Sequence, residues 1–224
     1  FALNELNMEI PVKNVIGIVG SSGSGKSTLI DIFLGLIKPK KGYLKVDDTV
    51  IDDHNKRSWQ NNIGFVAQSI FLSDSSIAEN VAFGIPKDEI DTERVLKSLD
   101  LAHLLELVEG FKDGIYTQVG ERGVQLSGGQ RQRIGIARSL YHGAEILIFD
   151  EATSSLDGIT EKMIMQAIHE FSGEKTIILI AHRLKTVEKC DQIFFMDKGR
   201  VVDQGTYIEL FEKNKLFRNM ANHA

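Results

Sequence analysis

Short apolar runs alternate with helical patterns at both ends of the chain. Residues 15–19, 146–149, 177–181 and 193–196 are uninterrupted apolar runs of the length typical of buried strands. A helical spacing follows the first run at Leu29, Ile30, Ile32, Phe33, Leu36 and Ile37, and Pro39 and Gly42 end that segment. Residues 159–171 present another apolar helix face. This alternation predicts an α/β core.

The pattern changes in the middle of the chain. Residues 43–46 and 49–51 resemble two short strands around Asp47 and Asp48, and 63–67 resembles another strand. From 74 to 141, long helical patterns such as 89–108 replace the strands, and beyond 145 the alternation resumes and ends in helices over 206–221. We therefore predict a single domain over 1–224, with an α/β core plus a small antiparallel β subdomain (1–72 and 143–224) and an inserted α-helical subdomain (73–142).

Composition narrows the classes of protein. The net charge of −5 and the pI near 5.7 argue against a dedicated nucleic-acid binder, so no nucleic-acid partner is expected. We interpret the local basic group of Arg131, Arg133 and Arg138 as solvated helix faces and ion pairs. The single cysteine, Cys190, excludes an internal disulfide and is expected to be inert packing. No apolar run is long enough to span a bilayer, and no signal peptide is visible.

A phosphate-binding loop follows the first predicted strand. The pattern G-x-x-x-x-G-K-[ST] is matched by the run Gly20, Ser21, Ser22, Gly23, Ser24, Gly25, Lys26, Ser27 and Thr28. Its successive N–H groups would cradle phosphate oxygens, while Lys26 would supply a charge to the β- and γ-phosphates and the Ser27 hydroxyl would bind Mg²⁺. Its position between a strand and a helix favours this interpretation over a Gly/Ser-rich loop without function.

Two adjacent carboxylates end the strand 146–149. Open α/β sheets bind ligands at the carboxyl ends of their strands, so Asp150 and Glu151 should face the phosphates. Asp150 would hold Mg²⁺, directly or through water, and Glu151 would be the general base for the water that attacks the γ-phosphorus. On its own the pair would be interpreted as solvated acids, but next to an intact phosphate-binding loop it favours an active ATPase.

A pentapeptide, L-S-G-G-Q, precedes the helical pattern that runs on to Arg138. It consists of Leu126, Ser127, Gly128, Gly129 and Gln130. N–H groups at a helix N-terminus form an anion-binding surface. Leu126 lies 100 positions after Lys26, and a second phosphate-binding surface so far from the first suggests that two copies of the chain share a nucleotide.

With these motifs the chain resembles the ATP-binding cassette (ABC) family over essentially its whole length. The resemblance implies a P-loop NTPase (RecA-like) core that binds ATP and Mg²⁺. It also implies that Gln68, after the strand 63–67, contacts Mg²⁺ and the attacking water and links the site to the transport domain. His182, after the strand Thr176–Ala181, matches the switch histidine that contacts the γ-phosphate. Lys26, Gln68, Glu151 and His182 are thus the predicted catalytic residues.

The family resemblance also implies a site shared between two copies. Ser127 and Gly129, within a signature that includes Gly128 and Gln130, would contact the γ-phosphate held by the second copy. Two-fold symmetry then places two ATP molecules at one head-to-tail interface. Ser154, Ser155, Leu156 and Asp157 match the family's D-loop, and Asp157 would bind at this interface, cap the following helix, or do both.

Three segments resemble the exporter branch of the family. They are Thr117 to Gly123 (T-x-V-G-E-x-G), Phe71 to Gly84 with Ser76 to Asn80 inside it, and Thr206 to Leu210. This branch carries the cassette after a six-helix membrane domain on the same polypeptide, at the cytoplasmic face of the bacterial inner membrane. The resemblance implies a translocase for a lipid, a lipid-linked oligosaccharide or a drug, whose identity is read by the membrane helices. The family's adenine-stacking aromatic residue lies well before the P-loop, so we expect it upstream of Phe1.

Other classes of ABC-type ATPase fit the pattern less well. Those of DNA repair and chromosome maintenance have long coiled coils between P-loop and signature, and no heptads are sustained here. Translation and resistance factors usually carry twin cassettes, whereas this chain has one P-loop and one signature. A degenerate regulatory cassette is disfavoured because Lys26, Ser127, Asp150, Glu151 and His182 are all present.

Overall fold

The computed structural model of the protein describes residues 2–123, 125–152 and 158–222. They belong to two compact units, one formed by Phe1–Ile63 with Gly173–Ala224 and the other by Gly64–Ser172. Both units combine strands with helices, as predicted for an α/β protein. The subdomain boundaries proposed at 73 and 142 stay a prediction.

The strands in chain order are β1 Val15–Gly20, β2 Lys45–Val46, β3 Thr49–Val50, β4 Ile63–Val66, β5 Ile146–Asp150, β6 Thr176–Ala181, β7 Gln192–Asp197 and β8 Arg200–Gly205. The α-helices are α1 Lys26–Phe33, α2 Lys56–Gln60, α3 Ile77–Val81, α4 Thr92–Leu101, α5 Leu105–Glu109, α6 Gly128–Tyr141, α7 Gly158–Glu170, α8 Tyr207–Lys213 and α9 Lys215–Asn222. Within the described ranges, no helix combines the length and the apolar character that crossing a bilayer requires.

The first unit is built on the strands β6-β1-β7-β8, in that order. β1 is parallel to β6 and to β7, and β8 returns antiparallel to β7. Every residue of β1 and β6 is buried, which explains why both read as uninterrupted apolar runs. A separate hairpin joins β2 and β3 antiparallel, pairing Lys45 with Val50, and confirms the predicted antiparallel pair.

The first helix is shorter than its apolar spacing predicts. Gly35 adopts a φ of +65°, a left-handed conformation that favours glycine and ends helices. The Leu36 N–H then donates to the Asp31 carbonyl (2.8 Å) and the Gly35 N–H to the Ile32 carbonyl (3.0 Å). The prediction that Leu36 and Ile37 belong to the helix face is therefore wrong: both lie beyond its end, and their side chains are exposed.

The second unit contains the neighbouring strands β4 and β5 with helices α3 to α7. The single helix predicted over 89–108 is divided into α4 and α5, because the chain turns at His103, whose φ is +52°. The core of the second unit is apolar and includes Val66, Leu72, Val95, Leu99, Ile134, Ile136, Leu147, Ile148 and Ile164. Eight of the 14 residues of helix α6 are buried, so its buried polar side chains need partners inside the protein.

Candidate nucleotide site

The predicted phosphate-binding loop connects β1 directly to α1. Gly20 is the last residue of β1, and Lys26 is the first of α1. A Cβ atom at Gly20 would lie 2.3 Å from the Met196 carbonyl oxygen and 2.7 Å from Ser24 Oγ. Only glycine fits there, because a backbone carbonyl of the neighbouring strand cannot give way. The loop is thus held tightly against the sheet edge.

Lys26 points back into this loop. Its side chain is buried, and Nζ donates to the carbonyl oxygens of Gly20 (2.7 Å) and Ser21 (3.1 Å). Ser24 is also buried, and its Oγ has no hydrogen-bond partner among the described residues. A buried ammonium group beside an unpartnered hydroxyl is an arrangement that suits an anionic oxygen ligand.

His182 lies at the same edge of the first unit as this loop. In the parallel pairing of β1 with β6, Val19 stands opposite Ala181. Gly20 and His182 are the next residues along these two strands, and the His182 side chain is exposed. The first unit therefore brings the predicted γ-phosphate sensor and the phosphate-binding loop to one sheet edge.

Gln68 and Glu151 meet in the second unit. Gln68 Nε2 donates a hydrogen bond to Glu151 Oε2 at 3.1 Å. Gln68 follows β4 by two positions, while Asp150 ends β5 and Glu151 comes directly after it. Glu151 has a φ of +49°, which is uncommon for a residue with a side chain. Such conformations concentrate at functional sites, and here it turns the chain at the strand end that carries both acids.

The signature pentapeptide begins the longest described helix. Ser127 is the N-cap of α6, and its Oγ accepts from the Gln130 N–H (3.2 Å) while Gln130 Oε1 accepts from the Ser127 N–H (2.8 Å). Ser127 and Gly128 are exposed, whereas Gly129 is buried. This capping box fixes the start of the helix, where the macrodipole favours an anion. The sequence-based prediction of a helix N-terminus at this motif is confirmed.

The three arginines of α6 do not behave as predicted. All three are half-buried, and each donates to backbone carbonyls: Arg131 to Leu126 (2.6 Å), Arg133 to His103 (2.7 Å), and Arg138 to Asn80 (2.9 Å) and Phe71 (3.1 Å). The Arg138 guanidinium also lies over the Phe83 ring, 4.6 Å from its centroid, and burial lowers its pKa. The interpretation as solvated faces and ion pairs is wrong, because these guanidinium groups donate to backbone carbonyls of neighbouring loops and of helix α3.

The exporter-like segments of the second unit are joined to each other. Ser76 caps α3 through a capping box with Glu79, and the Ser76 hydroxyl and backbone bonds lower the pKa of the Glu79 carboxyl. Just beside it, the Ile77 N–H donates to the Thr117 carbonyl (3.1 Å) and the Val119 N–H to the Ser75 carbonyl (3.1 Å). The third segment starts α8 with a capping box between Thr206 and Glu209.

The site residues thus fall into two groups. The first unit carries the phosphate-binding loop with His182, and the second carries Gln68, Asp150, Glu151 and the signature. Ser154, Ser155, Leu156 and Asp157 lie outside the described residues. Sequence reasoning did not single out Gln132, which is buried and donates to the Ala67 carbonyl at 3.1 Å. The sequence does hold one indication of a buried role for Gln132, because this polar residue lies on the apolar side of a helix.

Comparison with known proteins agrees with this arrangement. The ABC transporter family matches residues 3–154. An ATP-dependent lipid A-core flippase of Cupriavidus metallidurans is 40% identical over 220 residues, which are 98% of this chain and 37% of that protein. The flippase of Vibrio vulnificus is 38% identical over 219 residues, again 98% of this chain and 37% of the relative. The chain therefore spans just over a third of the length of these relatives.

A solved structure gives the same result. A bacterial Atm1-family ABC exporter with ATP bound superimposes with a TM-score of 0.91 at 34% identity, covering 99% of this chain and 38% of that one. The P-loop NTPase fold class and the exporter type of nucleotide-binding domain are confirmed, and the DNA-repair or translation-associated alternative is not favoured. With the phosphate-binding loop and the signature helix in the places that the motifs predict, the chain belongs to the ABC transporter family.

Proposed function

We propose that this chain binds and hydrolyses ATP at a head-to-tail interface between two copies and thereby drives export across a membrane. Family membership implies nucleotide binding. The hydrogen bond between Gln68 and Glu151 is the single observation that supports hydrolysis as well, because it ties an amide to the carboxylate that would activate water.

The roles follow from the chemistry of each group. The loop N–H groups and Lys26 hold the β- and γ-phosphates. Glu151 accepts a proton as water attacks the γ-phosphorus, the bond to the β-phosphate oxygen breaks, and ADP and phosphate leave. Gln68 orients that water, and His182 contacts the γ-phosphate. In-line attack of this kind depends mostly on positioning and charge stabilisation.

The proposed magnesium ligands are oxygen atoms of Ser27, Gln68 and Asp150. Hydroxyl, amide and carboxylate oxygens are the donors that Mg²⁺ accepts alongside water and phosphate, so the residues present fit the ion. When bound, Mg²⁺ would neutralise phosphate charge. The remaining charge is met by Lys26 in the same chain and, from the second copy, by the Ser127 hydroxyl and the Gly129 N–H, because the Ser127 N–H already donates to Gln130 Oε1.

The proposed partners and location follow from the relatives. The relatives compared are named flippases and an exporter, and this chain covers 37–38% of their length. We propose that a membrane-spanning part accompanies this domain on one polypeptide, with the domain at the cytoplasmic face of the inner membrane. A lipidic or amphipathic molecule is the proposed cargo, since the relatives named by substrate act on lipid A-core.

Two substitutions test the proposal. Glu151→Gln replaces the proton-accepting carboxylate with an amide of nearly the same shape. We expect turnover to fall by at least about 10²-fold, with ATP binding retained and a nucleotide-bound dimer visible by light scattering. Ser127→Arg should abolish turnover and leave nucleotide binding by single copies intact. Normal turnover in Glu151→Gln would refute the assignment of the base, and lost binding in Ser127→Arg would refute the shared site.

A further inference from the structure

One side of α6 carries the loop that contains Gln68. Gln132 Nε2 donates to the Ala67 carbonyl at 3.1 Å, and Arg138 Nη2 donates to the Phe71 carbonyl at 3.1 Å. These two bonds flank the segment 68–70. Positions 132, 135 and 138 are three residues apart, so they lie on the same side of the helix.

Between these two bonds the loop packs against a glycine. A Cβ atom at Gly135 would lie 2.6 Å from Ile70 Cδ1. The missing side chain at Gly135 therefore lets the Ile70 side chain lie against the helix backbone. The loop is held to α6 by a hydrogen bond at its start, a close apolar contact in its middle and a hydrogen bond at its end.

The hydrogen bond from Gln132 is made to the residue directly before Gln68, the proposed water-orienting residue. The carbonyl of Ala67 and the N–H of Gln68 belong to one planar peptide unit, so fixing that carbonyl orients the backbone from which the Gln68 side chain departs. Gln132 is only 4% exposed, so its amide is shielded from competing water. The Gln68 side chain that departs from this peptide in turn donates from Nε2 to Glu151 Oε2.

We propose that Gln132 is a positioning residue for Gln68. Its amide holds the Ala67–Gln68 peptide so that the Gln68 side chain stays on Glu151, and α6 thereby links the signature at its N-terminus to the water-orienting amide. This inference rests on the proposed function, because it assigns Gln132 an effect that passes through Gln68.

The test is a double-mutant cycle on ATP turnover by the purified protein. Gln132→Met keeps the side-chain volume and removes the donor. We expect kcat to fall about tenfold with the KM for ATP unchanged, as for other groups that orient a reacting residue. In a Gln68→Ala background the same substitution should change kcat by less than about twofold, because the residue through which it acts is gone.

Matched controls separate positioning from folding. Ser139→Ala removes a different buried polar group of α6, a hydroxyl that donates to the Gly135 carbonyl within the helix, and kcat should stay near the wild-type value. Thermal unfolding is followed for every variant. If Gln132→Met fails to fold, Gln132→Asn replaces it, since the shorter amide cannot reach the Ala67 carbonyl.

The outcomes are distinct. Unchanged kcat in a folded Gln132 variant, or an equal loss in both backgrounds, overturns the positioning role while leaving the proposed function intact. Full kcat in Gln68→Ala refutes the proposed role of Gln68 and the role of Gln132 with it. A loss in Gln132→Met that vanishes in the Gln68→Ala background, with ATP affinity preserved, supports the inference.

Discussion

Gln68 Nε2 lies 3.1 Å from Glu151 Oε2 and donates to it, although the two residues are 83 positions apart. The contact joins the chain just beyond β4 to the turn after β5, in one compact unit. The Gln68 amide, which can orient a water molecule, is thereby held against the Glu151 carboxylate, which can accept a proton from that water. The Glu151 backbone, with its φ of +49°, is held in a conformation that costs of order 1 kcal/mol or more.

We expect Gln68→Ala to lower the rate of the chemical step. Removing the amide leaves Glu151 without this orienting contact, so kcat should fall about 10- to 100-fold while KM for ATP changes less. Steady-state ATPase measurements check this. Gln166→Ala is the matched control, because Gln166 Nε2 also donates to a glutamate, Glu170, on the exposed face of α7. Equal effects of the two substitutions would contradict the role of Gln68.

Lys26→Met should weaken nucleotide binding. The ammonium group is buried among loop carbonyls at Gly20 and Ser21, where it would face phosphate oxygens. Loss of charged hydrogen bonds of this kind costs about 1.5–3 kcal/mol, or roughly 10- to 100-fold in Kd. Equilibrium titration with a fluorescent ATP analogue measures it. Lys41→Met, at an exposed lysine beyond α1, should leave Kd unchanged, and an unaltered Kd in Lys26→Met would exclude the phosphate role.

Gly20→Ala should destabilise the fold as well as the loop. The new methyl group would lie 2.3 Å from the Met196 carbonyl oxygen, so β1 and β7 would have to separate. Overpacking of this kind costs about 1–3 kcal/mol, which chemical denaturation followed by circular dichroism can measure. The control is Gly158→Ala at the start of α7, where an added Cβ meets no atom of the described residues within 4 Å and alanine favours the helix. Similar losses in both variants would contradict the close packing at Gly20.

Cys190 should make stability fall at alkaline pH. Burial, with a smaller contribution from the Asp191 charge, raises the pKa of this thiol from 9.0 to about 12. The pKa of the thiol is higher in the folded than in the unfolded protein. The contribution of Cys190 to the free energy of unfolding is therefore complete below about pH 9 and is lost as the pH rises from there towards 12. Denaturant unfolding between pH 8 and 10.5 measures the slope. Cys190→Ala should flatten it, and an unchanged slope would show that another group is responsible.

The strands and the motifs at their ends could be predicted from the sequence because the strands are buried. β1 and β6 are buried throughout and β5 is buried in its middle, so residues 15–19, 146–149 and 177–181 are unbroken apolar runs, and the chemical residues follow directly at the strand ends. The pair Asp150 and Glu151 and the loop after Gly20 stand where those runs end. Ser127 was equally readable, because a capping residue and two glycines precede a helical pattern.

Other features depend on tertiary contacts that a one-dimensional pattern does not carry. The end of α1 depends on the left-handed Gly35 rather than on the apolar positions that continue to Ile37. Arg138 looks like a surface charge in sequence, yet it donates to carbonyls 58 and 67 positions away. The same holds for Gln132, whose partner Ala67 is 65 positions distant.

We propose that each ATP is hydrolysed between the phosphate-binding loop of one copy and the signature of another. Lys26→Ala inactivates the loop and keeps the signature, whereas Ser127→Arg does the reverse. Each variant alone should be inactive. An equimolar mixture creates mixed dimers in which one of the two sites is intact.

ATP turnover by that mixture is therefore the most direct measurement. With free exchange of copies, two-fold symmetry predicts recovery of about a quarter of wild-type turnover, since half of the dimers are mixed and half of their sites are complete. A second mixture, of Lys26→Ala with the double variant Lys26→Ala, Ser127→Arg, should stay inactive. Recovery only in the first mixture is the predicted result, and no recovery from exchanged, folded dimers would contradict the shared site.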